Sequence, residues 1–302
     1  FSNSNIDSIK LPNNLTTIET KAFWNSSIKK IDFNDKLLTI EEYAFDECAN
    51  LRYVYIPKNI QEIGYFAFSK VNKILLESDT YPISYNINMY DSNNSYIYFS
   101  IKKENLEINN QALYYHDSNV TTLIDYFGNG SKYNINEFDN NQIIIGNYAF
   151  INTPNLEEIN FNNHITKIMS QAFKLSGIIE VILPESLIYL GDYAFSYCGE
   201  MKKVILNNGL KQIPTGCFSA CSVLEYIYIS DTIERIEAHA FQNCYLLNNT
   251  YIPKNVMYIG DGAFYMNKSN NLYLELDNIP TTWDKNFNPS NRKIYYGQKR
   301  DE

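Results

Sequence analysis

The cysteines offer the most versatile chemistry in this sequence, because a thiol can act as a nucleophile, bind a metal or form a disulfide. Four of the five follow a phenylalanine by three residues, and the fifth directly precedes one. No CxxC motif occurs, and no histidine lies near a cysteine at a metal-ligand spacing. The odd count and the regular spacing favour reduced, buried thiols that pack as small apolar side chains, and disulfides are the alternative. The cysteines are Cys48, Cys198, Cys217, Cys221 and Cys244.

Histidines and carboxylates are the other side chains that could do acid–base chemistry. None of the three histidines, His116, His164 and His239, shares a repeat position with a serine or cysteine nucleophile, so we interpret them as surface residues. The carboxylates show no spacing that indicates catalysis, and no HExxH, Walker A, GxSxG or GxGxxG motif is present. The sequence therefore predicts no enzyme, no metal site and no cofactor.

Composition narrows the class of partner. The 302 residues carry a net charge of -9, which disfavours binding to the phosphates of nucleic acids. No apolar run approaches the roughly 18 residues that a membrane span needs. The opening stretch FSNSNIDSIK has neither a charged nor an apolar region of the kind found in signal peptides, so we expect no signal peptide in it.

An Ala-Phe pair, once Cys-Phe, recurs with gaps of 22 or 23 residues and organises the elements around it. We call the phenylalanine of each pair the anchor. Apolar residues stand eight and five positions before each anchor, and an alternating stretch such as Val54 to Ile56 follows it, which predicts a strand with one buried face. A fixed period of this size predicts a solenoid. The anchors are Phe23, Phe45, Phe68, Phe150, Phe173, Phe195, Phe218, Phe241 and Phe264.

Each repeat thus gives one strand, a turn and a return leg that carries the anchor. One repeat cannot bury its own apolar face, so neighbouring repeats must stack, with their strands parallel. The alanine before each anchor is explained by the limited room beside a large ring. Gly64, Gly191 and Gly260, four residues before their anchors, fit a backbone position that requires positive φ.

Three phrases carry a resemblance to a known family. YVYIPKNIQEIGYFAF (53–68), VILPESLIYLGDYAFSYC (181–198) and TYIPKNVMYIGDGAF (250–264) resemble the BspA-like leucine-rich repeats of secreted and surface proteins in bacteria and some protozoa. The resemblance implies an extracellular or cell-surface location. It also implies an α/β-type repeat solenoid: a curved right-handed leucine-rich repeat array of about 23 residues per repeat, with a parallel β-sheet on its concave face and short helical or irregular return legs.

The spacing of the anchors predicts four parts. Residues 1–77 form a first array, residues 142–277 form a second array, and residues 278–302 form a C-terminal cap in which Trp283 covers the open core. Residues 78–141 form an irregular insert. Its alternation around 112–115 and 122–126 predicts a β-hairpin, which resembles a connecting element of the same family, so we interpret the insert as a modified repeat. A flexible linker is the alternative.

Two functional classes fit such an array. The first is a non-catalytic binding module, similar to an adhesin, that presents its concave face to a protein or glycan ligand, such as a host cell-surface or matrix component. The second is a structural spacer or assembly unit of a larger cell-surface protein. A spacer should show only polar residues on the outward face of its strands, whereas this chain shows aromatic and aliphatic ones, which favours binding.

Strand alternation predicts which residues form the ligand-binding face. In the second array it directs six aromatic and aliphatic side chains outward, and in the first array it directs two tyrosines outward as a smaller counterpart. The alternative is that the β-propensity of tyrosine alone places these residues on strands. The predicted ligand-binding residues are Ile182, Ile205, Tyr226, Tyr228, Tyr251, Tyr273, Tyr53 and Tyr55.

Overall fold

The protein, seen in a computed structural model, forms two compact units, Phe1–Leu106 and Glu107–Glu302. The structure describes residues 1–82, 84–85, 88–90, 95–138, 142–267, 271–288 and 293–298. The finer division into two arrays, an insert and a cap stays a prediction. The curvature and the right-handed sense of the solenoid also stay predictions.

The first unit consists of short parallel strands in two rows. Its strands are β1 (Ser8–Lys10), β2 (Thr17–Ile18), β3 (Lys30–Asp32), β4 (Thr39–Ile40), β5 (Tyr53–Ile56), β6 (Glu62–Ile63), β7 (Lys73–Leu76), β8 (Ser84–Tyr85) and β9 (Tyr96–Tyr98). The first row contains the predicted alternating strands, with β1 paired to β3 and β7 paired to both β5 and β9. The second row, β2-β4-β6-β8, contains the apolar residue five before each anchor. Each turn therefore has two strands where the sequence predicted one.

The second unit repeats this plan. Its strands are β10 (Leu106–Asn109, which starts at the last residue of the first unit), β11 (Ala112–Asp117), β12 (Val120–Tyr126), β13 (Lys132–Asn134), β14 (Gln142–Ile145), β15 (Glu158–Asn160), β16 (Ile165–Ile168), β17 (Glu180–Ile182), β18 (Tyr189–Leu190), β19 (Lys203–Ile205), β20 (Gln212–Ile213), β21 (Tyr226–Tyr228), β22 (Arg235–Ile236), β23 (Thr250–Ile252), β24 (Tyr258–Ile259), β25 (Leu272–Leu274) and β26 (Ile294–Tyr295). The first row comprises the sheets β13-β15, β17-β19-β21 and β23-β25-β26. The second row comprises β12-β14-β16-β18 and β20-β22-β24.

The return legs contain no α-helix in the part of the chain that the structure describes, where a 3-10 turn at Lys103–Asn105 is the one helical element. The predicted α/β class and helical return legs are therefore wrong, and the fold is a parallel β-solenoid. The cause is local: residues two before and two after an anchor have positive φ, as Tyr193 (φ 57°) and Tyr197 (φ 60°) do around Phe195. A right-handed helix cannot pass through such residues.

The anchors form the centre of the core, as the period predicts. From Phe150 to Phe264 every anchor is fully buried, and successive rings stack with centroids 4.7 to 5.7 Å apart. The backbone N–H of Phe195 donates to the carbonyl of Cys217 in the next turn at 2.9 Å, and that of Phe218 donates to Ala240 at 2.9 Å. The return legs are thus hydrogen-bonded from turn to turn in the same way as the strands.

The predicted hairpin is confirmed and joins the second row. β11 and β12 pair antiparallel, with Tyr115 opposite Thr122, and β12 also pairs parallel with β14. Tyr126 takes the place of an anchor: its N–H donates to Ala149 at 2.8 Å, and its ring lies 5.0 Å from that of Phe150. The last strand of the hairpin is therefore stacked on the array that follows it.

The three predicted positive-φ glycines have negative or extended φ, so that prediction is wrong. They are needed because the preceding turn lies too close for a side chain. A Cβ on Gly64 would lie 2.5 Å from the backbone nitrogen of Glu42, and one on Gly260 would lie 2.6 Å from that of Ala238. Real Cβ atoms do not approach backbone atoms so closely. Only the hydrogen atom of glycine fits between the two turns at these positions.

The cysteines are free and buried, which confirms the reduced ladder. Cys198, Cys221 and Cys244 each donate an Sγ–H hydrogen bond at 3.1 Å to the carbonyl of an anchor in the preceding turn. Cys48 makes the same bond to Phe23 at 2.9 Å. Each of these thiols therefore adds a hydrogen bond to an anchor carbonyl, and the carbonyls of Phe23, Phe173 and Phe218 also accept a backbone N–H.

Alkylation should label none of the five thiols in the folded protein and all five after denaturation without reductant. The reason is that burial raises the pKa of the Cys217 and Cys221 thiols and withholds the reactive thiolate. Intact-mass spectrometry counts the labels, and a sample reduced before denaturation is the control. A Cys198–Cys221 or Cys221–Cys244 disulfide in the unreduced sample would contradict the assignment.

Two aromatic residues of the predicted cap are part of the core. Trp283 and Phe287 are buried, and the Trp283 indole N–H donates to the carbonyl of Val256 at 3.3 Å. Residues 289–292 and 299–302 of that segment lie outside the described residues. The interior position predicted for Trp283 is confirmed.

Candidate binding face

The first-row strands of the second unit alternate as the sequence predicts. Their middle residues in β17, β19 and β21, Val181, Val204 and Ile227, are buried. The flanking side chains point outward: Ile182 is 60 % exposed and Tyr226 is 49 % exposed. One face of these strands therefore lies in the core, and the other, which carries Ile182 and Tyr226 as well as the charged Glu180 and Lys203, faces solvent.

Strand register aligns the outward residues in one file, which we call the Ile/Tyr column. Ile182, Ile205 and Tyr228 are direct partners in β17, β19 and β21, and Tyr251, Tyr273 and Tyr295 are direct partners in β23, β25 and β26. The Asn248 N–H donates to Glu225 at 3.1 Å, as the Glu225 N–H does to Lys202 at 2.9 Å, so the register continues from β21 to β23. The column comprises Ile182, Ile205, Tyr228, Tyr251, Tyr273 and Tyr295.

The column and the predicted set differ at two residues of the second unit. Tyr226 lies beside the column, in register with Lys203. Tyr295 belongs to the column but was missed from the sequence, because it lies in a two-residue strand beyond the last anchor. Its pairing with Tyr273 is the signal that identifies it: the rings stack with centroids 5.1 Å apart and planes 11° apart.

Charged residues around the column are paired with each other. Lys203 Nζ lies 4.0 Å from Glu180, and Lys254 Nζ lies 3.4 Å from Glu275. The Glu275 carboxylate also accepts the backbone N–H of Lys254 at 3.1 Å and is hydrogen-bonded to Tyr251. These contacts, the backbone hydrogen bond foremost, lower the pKa of Glu275 and keep it ionised at neutral pH.

The smaller predicted face in the first unit holds a segment of the chain itself. The Ile101 N–H donates to Leu76 at 2.9 Å, and Lys103 Nζ lies 3.0 Å from Asp32 and 5.8 Å from the ring centroid of Tyr55. Burial, followed by the nearby Glu77, raises the pKa of Tyr55 to about 12. Tyr53 is half-buried. Sequence reasoning identified the outward direction of Tyr55 but not the lysine that covers it.

In the described part of the chain, no group of three or more His, Cys, Asp or Glu residues could hold a metal ion. His116 contacts Glu107 at 2.9 Å and Thr121 at 3.0 Å, and all three histidines are half-buried rather than exposed as predicted. Among the same residues, no helix is long and apolar enough to cross a membrane.

The comparison with protein families agrees with this geometry. The BspA type Leucine rich repeat region matches the chain in six copies, over residues 1–121 and 143–272. The chain therefore belongs to the BspA-type leucine-rich repeat family. Among curated proteins, no match was found.

Comparison with solved structures finds leucine-rich repeat proteins, and the first of them shares the fold of this chain. A leucine-rich repeat protein from Eubacterium ventriosum is similar with a TM-score of 0.60 and 19 % identity, over 98 % of this chain and 78 % of that one. A leucine rich cell surface protein from Faecalibacterium prausnitzii has a TM-score of 0.47 and 19 % identity, over 98 % and 80 % of the two chains. The pneumococcal vaccine antigen PcpA has a TM-score of 0.45 and 16 % identity, over 97 % and 80 %.

Proposed function

We propose that this chain is a non-catalytic binding module of a secreted or cell-surface protein, and that the Ile/Tyr column with Tyr226 binds a protein partner. The observation that carries the proposal is the column itself. Six large side chains follow one another on neighbouring strands, and their common face points away from the core. A continuous strip of large apolar and aromatic side chains on the outward side of paired strands is typical of interaction sites.

The side chains favour a protein over a glycan. Tyr273 and Tyr295 stack on each other, so each covers one ring face of the other and presents its edge and hydroxyl outward. A pyranose ring packs on an open aromatic face, whereas a protein surface can use ring edges, hydroxyls and aliphatic groups such as Ile182. Tyrosine also adds contact area at a low cost in conformational entropy.

The extracellular location rests on the family. BspA-like repeats occur in secreted and surface proteins, and this chain carries the same repeats. A spacer, the alternative, would have no need of an apolar outward column.

The triple substitution Tyr226, Tyr228 and Tyr251 to Ser should weaken binding at least about tenfold, because tyrosines at the centre of an interface often contribute more than 1 kcal/mol each. An array of extracellular-matrix proteins and glycans is probed with the purified chain and the variant. The matched control replaces Tyr197, Tyr245 and Tyr265, which are exposed tyrosines of the same unit outside the column.

The array separates the possible functions. Protein spots that lose signal with the triple variant but keep it with the control would support the proposal. Signal confined to glycan spots would make the ligand a glycan, and unchanged signal with a correctly folded triple variant would exclude the column as the binding site.

A further inference from the structure

The two units contain the same five-residue phrase at the same structural position. Tyr-Ile-Pro-Lys-Asn occurs at 55–59, at the end of β5, and at 251–255, at the end of β23. A glutamate from the next turn meets each phrase. The N–H of Glu77 donates to Ile56 at 3.0 Å, and the N–H of Glu275 donates to Ile252 at 3.1 Å.

The side chains of the two phrases make matching hydrogen bonds. Glu77 accepts the backbone N–H of Lys58 at 3.0 Å, and Glu275 accepts that of Lys254 at 3.1 Å. Each glutamate is also hydrogen-bonded to its tyrosine. We call each arrangement a Tyr–Glu pair. The hydrogen bonds fix the tyrosine hydroxyl next to a carboxylate and hold the ring in one orientation.

In the first unit, a lysine of the chain lies over the tyrosine ring of the Tyr–Glu pair. Lys103 places its ammonium 5.8 Å from the centroid of the Tyr55 ring, and its backbone is hydrogen-bonded to the Tyr55 hydroxyl. The same ammonium pairs with Asp32 at 3.0 Å. A cation over an aromatic face with carboxylates beside it is a favourable site for a basic side chain.

We infer that Tyr251 forms the equivalent site in the second unit and that its ring binds a lysine or arginine of the partner protein, beside the Glu275 carboxylate with which Lys254 Nζ is already paired at 3.4 Å. The inference rests on the proposed function, because the pair lies in the Ile/Tyr column. It makes the partner a protein whose contact segment is basic, which also suits the net charge of -9.

The second unit favours arginine over lysine. Asp32 precedes Tyr55 by 23 residues, and at the same distance before Tyr251 stands Tyr228, so a second ring replaces a carboxylate. A guanidinium stacks on aromatic rings better than an ammonium does. The same unit shows such a contact, in which the Arg235 guanidinium lies 4.0 Å from the Tyr258 ring centroid.

The test uses the segment that occupies the first unit as a probe. Fluorescein-labelled peptides of residues 100–106, SIKKENL, are prepared unchanged, with K103R and with K103Q, and titrated into the full chain by fluorescence anisotropy. The K103R peptide should bind about three- to fivefold more tightly than the K103Q peptide.

Variants of the protein locate the effect. Tyr251→Leu should abolish the preference for K103R over K103Q, Tyr251→Phe should retain most of it, and Glu275→Gln should reduce it about twofold. Tyr197→Leu, which removes an exposed tyrosine outside the column, should leave it unchanged. Equal binding of all three peptides to the unsubstituted protein, or a full preference in both Tyr251→Leu and Glu275→Gln, would overturn the inference.

This result is independent of the array. If the array finds a column-dependent protein partner but the peptides show no preference for a basic residue, the proposed function stands and the basic-residue site fails. If the peptides show the preference but no partner depends on the column, the site stands and the proposed function fails.

Discussion

Replacing the anchor Phe195 or Phe218 by alanine should lower the free energy of unfolding by about 3–5 kcal/mol, the largest effect that we expect of any single substitution. Both rings are fully buried, and each stacks on rings of the turns before and after it, with Phe195 4.9 Å from Phe173 and 5.7 Å from Phe218. Truncation removes the packing of two interfaces between turns, on which an array depends for its stability.

Chemical denaturation followed by far-ultraviolet circular dichroism measures this change. Tyr197→Ala is the matched control, because Tyr197 is an aromatic residue of the same return leg and is 55 % exposed. We expect it to cost less than about 1 kcal/mol. A loss below about 1 kcal/mol for both anchor variants would contradict the role of the anchors as the centre of the core.

Gly191→Ala is the second substitution for which we expect a large effect, a loss of about 1–3 kcal/mol. The added Cβ would lie 2.6 Å from the carbonyl carbon of Met169 in the preceding turn, and a backbone atom there cannot move aside as a side chain can. The two turns would have to separate, which weakens the hydrogen bond from the Gly191 N–H to Ile168 at 2.8 Å.

Gly199→Ala provides the control in the same return leg, four residues after the anchor Phe195. A Cβ at Gly199 would meet no atom within 4 Å, and its φ is not in the left-handed region. We expect stability to be unchanged or to rise by up to about 1 kcal/mol, because alanine restricts the unfolded chain. Equal stability of the Gly191 and Gly199 variants would contradict this prediction, because it would show that the turns can separate at Gly191 without a loss of stability.

The core was predictable from the sequence because one residue type recurs at one position. Every anchor from Phe23 to Phe264 is buried, and the cysteine ladder follows from the same count. The second row of strands was not predictable in this way. Its strands are mostly two residues long, as in β20 and β22, and so few residues show no alternation.

The return leg shows what periodicity does not determine. Backbone conformation depends on φ, and residues as different as Gln171, Tyr193 and His239 have positive φ at the same repeat position. The residue type at this position therefore does not indicate that the backbone has positive φ. Gly191 was correctly singled out, but a glycine has two possible reasons, positive φ or close approach, and only the position of the preceding turn distinguishes them.

The outward face was predictable to the extent that alternation determines it. Ile182 and Tyr226 point into solvent as expected, since neighbours in a strand face opposite sides. The residues that pack against this outward face come from distant parts of the sequence, so alternation does not predict them. Lys103 follows Tyr55 by 48 residues, and no pattern in the sequence links the two.

The uniform register between turns also bears on how the gene for such a protein can change. Because each turn offers the next one the same ladder of backbone carbonyls and anchor rings, duplication or loss of one 23-residue unit leaves the remaining neighbours able to pair again. Unequal recombination can therefore lengthen or shorten the Ile/Tyr column by one position at a time. The length of the column can evolve without a new core.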